Sequence, residues 1–183
     1  MGLKSIIESN KAVLKFLGLF FGTYIVLTVI YQGYLNYFSS DNYYPDFITE
    51  QVADQTYHVI KLMGYNTFIT KDPNTPNMLI GIENNYISRV IEGCNSISVI
   101  ILFLSFIVAF WKTAKSTLLY ILMGSVFIYL FNLLRIALIT IATHHYPEYN
   151  DVLHDIFFPL FIYGFVFLLW IYWIKNYKKV VKE

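Results

Sequence analysis

The feature that most constrains this chain is a set of four apolar runs, at about residues 16–34, 94–111, 117–142 and 156–174. Roughly 20 apolar residues in a helix cross the hydrocarbon core of a bilayer. Backbone polar groups inside lipid must be paired within the segment itself, so apolar runs of this length predict helices. Composition agrees, since hydrophobic residues make up 57% of the 183 residues and charged residues only 14%, where a soluble domain carries about a quarter. The expected fold is an all-α polytopic integral membrane bundle of about four transmembrane helices, forming a single membrane domain over residues 1–183. The first run follows Lys4, Lys11 and Lys15 but has no small-residue cleavage site after it and exceeds a signal-peptide core, so it is read as a retained anchor.

Charge placement predicts the orientation. Lys112 and Lys115 separate the second and third runs, and Lys175, Lys178, Lys179 and Lys182 follow the fourth. With the lysines before the first run, these fall on one side of a four-span chain. The opposite side carries Lys61, Lys71 and Arg89 among many carboxylates. The lysine-rich side is expected to be cytoplasmic. Both termini then lie in the cytoplasm, and residues 35–93 and 143–155 lie outside it. A net charge of +1 and no basic stripe leave no sign of nucleic-acid binding.

Residues 35–93 are too long for a turn. Ile48, Val52, Thr56, Val59, Ile60 and Met63 recur at helical spacing and Gly64 follows as a stop, which predicts an amphipathic helix lying on the membrane or on the bundle. The segment from Lys71 to Asn77 reads as a turn or loop. Apolar stretches at 78–82 and 86–91 flank Glu83-Asn84-Asn85 and predict a hairpin whose second strand runs into Gly93-Cys94. The insertion is therefore expected to be a small extracytoplasmic α/β or helix-plus-hairpin unit.

Three chemically distinctive residues fall at similar depth in this topology. Cys94 is the only cysteine, which excludes an internal disulfide and a multi-cysteine metal site. Arg135 interrupts the third run, about 10 Å below its outer end at 1.5 Å per residue. An arginine inside a span is costly and usually faces a bundle interior or polar pathway. Asn132 lies on the same helical face. His154 stands where the fourth span begins. A thiolate attacks a peptide carbonyl to form a thioester, a histidine relays protons, and an arginine stabilises an oxyanion or clamps a substrate oxygen. Asp151 and Asp155 are both candidates to orient His154, and Asp151 alternatively caps the helix. Asn95, Ser96 and Ser98 lie near the thiol as hydrogen-bond donors or as a polar helix end.

The segments Glu92-Gly93-Cys94-Asn95-Ser96, Asn132-Leu133-Leu134-Arg135-Ile136 and His154-Asp155 through Gly164 resemble the exosortase/archaeosortase family, in a compact form similar to that of Bacteroidetes-type bacteria. The resemblance implies a membrane cysteine protease or transpeptidase in which Cys94, Arg135 and His154 are catalytic. It implies a reaction on the extracytoplasmic face of the bacterial cytoplasmic membrane, with no cofactor. Its implied partners are exported proteins bearing a C-terminal motif, a transmembrane helix and a basic tail, which are cleaved and often transferred to a surface glycan or lipid. Family members commonly carry a Ser-Gly-type turn after the cysteine, where this chain has Asn95-Ser96.

His144, His145 and His154 with Asp151 or Asp155 offer zinc-type ligands, but at no tight helical spacing, so no metal site is expected. A non-enzymatic assembly or scaffold protein would bind a partner through the outer segment and Arg135, and would tolerate loss of Cys94. A transporter would show an inverted repeat of broken helices, which the sequence lacks.

Overall fold

The structure, a computed structural model, describes residues 10–38 and 45–180. Lys4 and Lys182, and residues 39–44 of the expected insertion, lie outside the described residues.

Among the described residues, three helices are long and apolar enough to cross a membrane. These are α1 (Lys11–Phe38), α4 (Ala114–His145) and the helical stretch Pro147–Asn176, most of which belongs to α5 (Phe158–Val180). Between α1 and α4 come α2 (Phe47–Leu62), the strands β1 (Thr67–Lys71), β2 (Met78–Ile82) and β3 (Asn85–Val90), and a fourth apolar helix, α3 (Ile97–Ala109). α3 has 13 residues, about 20 Å of helix, against a hydrocarbon core of about 30 Å. It is shorter than the expected run of 94–111 because a turn over Glu92–Cys94 and a left-handed Ser96 (φ 65°) delay its start. α4 has 32 residues, about 48 Å. The difference in length sinks the start of α3 well below the upper end of α4, where "upper" denotes the end that carries the insertion.

The insertion fills the space above that sunken start. Asp46 begins α2 by accepting hydrogen bonds from the Ile48 and Thr49 amides at 3.0 and 3.2 Å, which satisfies donors that a helix start leaves open. Gly64, at φ 92°, ends the helix in the left-handed conformation that other residues avoid. The three strands form one antiparallel sheet in the order β1-β2-β3. The expected hairpin is thus present as β2 and β3, with β1 as an added strand. The amphipathic helix lies on the bundle. Val52, Ala53 and Ile60 of α2 and Met78, Ile80 and Val90 of the sheet share one core with Leu133, Ile136 and Ala137 of α4. Met63, the C-cap of α2, stays exposed at the end of the predicted apolar face.

A second core lies lower, where Phe103 and Ile107 of α3 meet Ile128 of α4 and Val166 and Trp173 of α5. Gly124 allows that approach: a Cβ there would stand 2.3 Å from the Phe103 ring. α1 runs along α3, with the Phe16 ring edge-on to Phe106 and tilted against Phe110. Its remaining surface is largely exposed and apolar, as suits a helix facing lipid.

Candidate active site

Cys94 sits at the end of the short helical turn Glu92–Cys94, its amide bonded to the Ile91 carbonyl at 2.8 Å. The next residue fixes that turn. Asn95 is fully buried and donates from Nδ2 to Tyr31 Oη at 2.7 Å and Thr49 Oγ1 at 3.2 Å, while its Oδ1 accepts from the Ile97 amide at 3.1 Å. One side chain thereby ties α1, α2 and α3 together beside the thiol. Ser96 bonds its hydroxyl to the Asn95 carbonyl at 2.6 Å. Asn95 and Ser96 therefore brace the turn and do not line the cavity that Cys94 faces.

Asn132 reaches the same turn from α4. It is buried and donates to the Cys94 carbonyl at 2.7 Å, and its Oδ1 accepts from Arg135 Nη1 at 3.3 Å. The helical spacing of Asn132 and Arg135 makes this bridge: one residue holds the backbone that carries the thiol, and the other lies one turn higher. Arg135 Nε is buried and has no hydrogen-bond acceptor among the described residues. An unpaired buried donor is unfavourable and stands ready for an incoming oxygen.

Cys94, Arg135 and His154 all line one cavity of about 250 Å³, with residues 87–90 of β3, Ile136, Ile139 and Asn150 completing its wall. Of the basic residues that line it, Arg89 and His154 each face a carboxylate, Asp72 at 3.8 Å and Asp155 at 3.0 Å, which leaves Arg135, with no carboxylate partner among the described residues, as the group best placed to meet developing negative charge. No hydrogen bond yet joins His154 to the thiol; they share the cavity from different walls. His154 lies on a π-helical turn (Leu153–Phe157) that leads into α5, a form enriched at functional sites. Of its two candidate orienting carboxylates, Asp155 is the one in contact, with Oδ1 3.0 Å from His154 Nδ1. That pairing favours the tautomer with the proton on Nδ1 and leaves Nε2 as the free base. Asp151 instead accepts from Asn150 Nδ2 at 3.4 Å. His145 is engaged with Tyr65, whose hydroxyl lies 3.0 Å from Nε2. Just before the cysteine, burial and the nearby Asp46 carboxylate raise the Glu92 carboxyl above its ordinary range.

The profile of the transmembrane exosortases matches residues 13–172. The chain belongs to that family. The match runs from within α1 to within α5, so it includes the insertion and all three cavity residues singled out in the sequence. Comparisons with curated proteins and with solved structures gave no match. Within this exosortase fold the sequence reading overlooked Arg89, Ser88 and Asn150 on the cavity wall and Tyr31 beneath the cysteine turn. Arg89 carried a signal, as the cation that falls next to an expected strand end and five residues before the thiol.

Proposed function

We propose that this exosortase-family chain is a cysteine transpeptidase that cleaves C-terminal sorting signals of exported proteins. The observation that carries the reading is the single cavity shared by Cys94, Arg135 and His154, which come from three separate elements. In this reading His154 Nε2 takes the Cys94 proton, and the thiolate attacks the scissile carbonyl. The guanidinium of Arg135 stabilises the resulting oxyanion through donors that include the unpaired Nε. Collapse forms the thioester, and the imidazolium returns its proton to the leaving amine. An acceptor nucleophile on a surface glycan or lipid, or water, then gives its proton to His154, attacks the thioester and regenerates the thiolate.

In this reading the chemistry lies on the extracytoplasmic face of the cytoplasmic membrane with both termini in the cytoplasm, an orientation that the positive-inside bias supports. In this reading the sunken start of α3 holds the thiol near the hydrocarbon boundary. A substrate anchored by its own apolar C-terminal helix presents its adjoining segment there, and a basic tail would hold that helix in place. The insertion above the cavity limits water, which protects a thioester from hydrolysis.

The test is mass spectrometry of the C-termini of exported proteins, comparing cells that carry the wild type with cells that carry Cys94→Ala. A set of proteins whose shortened C-termini disappear in the variant is expected. Identical C-termini in both strains would remove the enzyme reading and favour a scaffold.

A further inference from the structure

β3 is an edge strand, and the cavity meets it edge-on. Side chains of a strand alternate between its two faces, yet four consecutive residues, 87–90, line the cavity. A wall of that kind is made by the strand's edge as well as by its side chains. The backbone pairing shows which groups that edge offers. Asp72 N–H bonds to the Asn77 carbonyl and Glu83 N–H to the Asn66 carbonyl. Both bonds fit the β1-β2 register that pairs Thr70 with Leu79. Hydrogen-bonded pairs alternate along an antiparallel ladder, so Leu79 and Gly81 bond toward β1, and Met78 and Ile80 bond toward β3. Arg89, opposite Leu79, therefore turns its amide and carbonyl outward to the free edge. Among the described residues nothing bonds to those outward groups.

Exposed edges are normally covered or guarded, and this one opens on the thiol cavity. The strand also leads directly to the nucleophile, through Ile91, Glu92 and Gly93. Ser88 bonds to Thr140 of α4 at 2.7 Å, which anchors the strand against the helix that carries Arg135. A bulge at Ile80/Gly81 bends the pair nearby, a device common beside active sites.

We infer that the free edge of β3 is the substrate-positioning rail: an extended segment of the polypeptide substrate pairs with the backbone of β3 as a fourth strand and so delivers its scissile carbonyl to Cys94. The proposal rests on the peptide-cleaving reading above and adds how the substrate is held. Backbone pairing supplies affinity with little regard to side chains. A substrate that runs from outside toward its membrane helix would lie parallel to β3, which runs toward α3 in the same sense. The Arg89 side chain, 3.8 Å from Asp72, keeps a charge on the edge and discourages pairing with a second copy of the chain.

The test uses the full-length protein in cells and three substitutions. Cys94→Ala decides the cleavage reading by itself, as above. Arg89→Pro and Arg89→Ala both remove the guanidinium, but only proline also removes the outward N–H. Loss of C-terminal processing at least tenfold greater in Arg89→Pro than in Arg89→Ala is expected, with Cys94 alkylation as in wild type showing that the site is folded. Equal processing in the two would overturn the rail while leaving the cleavage reading intact. A second measurement stands independently of proline's effect on folding. Photo-crosslinkers placed at 87 and at 89 in the Cys94→Ala background should attach to the proteins that this variant leaves uncut, at points two residues apart just upstream of the cut. Crosslinks to a second copy of the chain, or attachment without that register, would overturn it.

Discussion

At the scale of single residues, a thiol turn is held beneath a guanidinium. Asn132 does both parts of that, and neither role involves touching the reacting atoms. Asn132→Ala leaves the Cys94 carbonyl and one arginine nitrogen without a partner, at a cost of about 1–3 kcal/mol. The expected outcome is a lower Tm together with slower Cys94 alkylation; a purely structural asparagine would lower Tm alone. Glu92 makes the opposite case. Its carboxyl is raised by burial and by Asp46, so the folded state holds the proton more tightly than the unfolded chain. Stability attributable to this group is greatest at low pH and falls as pH rises through the ordinary and then the raised value. Glu92→Gln is expected to raise Tm at neutral pH and to flatten its decline between mildly acidic and neutral pH, which thermal unfolding at a series of pH values would check. Cys94, Arg135 and His154 were legible in the sequence because each is chemically out of place: a lone thiol, a cation in an apolar run, an imidazole at a span boundary. Asn95 was legible as polar, but its tie to Tyr31 and Thr49 joins segments far apart in sequence, which no local pattern reports.

At the scale of elements, relative helix length sets the depth of the site. Hydropathy showed an apolar run from Cys94, but it does not register a left-handed Ser96, so the true start of α3 was hidden. The helix of the insertion was legible from its spacing and its stop at Gly64, and the structure buries Val52, Thr56 and Ile60 of that spacing. β1 was not, because the sequence Thr67 to Lys71 has too few apolar residues to alternate clearly. The close contact of α3 and α4 at Gly124 gives a direct check. Gly124→Leu forces a side chain into the Phe103 ring, and overpacking of this kind costs about 1–3 kcal/mol. A reduced Tm is expected, partly restored when Phe103→Ala is added. The turn after β1 answers to pH instead. Asp72 is held below the ordinary carboxylate range by the Thr75 hydroxyl and the Asn74 amide, with Arg89 adding to the effect. Its stabilisation is present above the ordinary carboxylate pKa and lost as pH falls through the depressed one. Limited proteolysis within residues 72–77 should therefore stay slow from neutral pH to about pH 5 and quicken only below the usual carboxylate range of about 4.

At the scale of the whole molecule, four apolar helices and a capping insertion bring Arg135 and His154, 41 and 60 positions from Cys94 in sequence, onto one cavity with it. The four-span topology expected from the sequence puts Cys94, Arg135 and His154 at a common level. Contact across the bundle depends on packing between α3, α4 and α5, which sequence periodicity leaves open. The measurement that bears most directly on this arrangement is alkylation of Cys94 in intact cells by a membrane-impermeant thiol reagent, comparing wild type with folded Arg135→Ala and His154→Ala proteins. Labelling from outside at neutral pH, slowed severalfold by either substitution, is the outcome expected of an external thiol activated by its two neighbours. Labelling that requires a permeant reagent, or a rate that neither substitution changes, would contradict it.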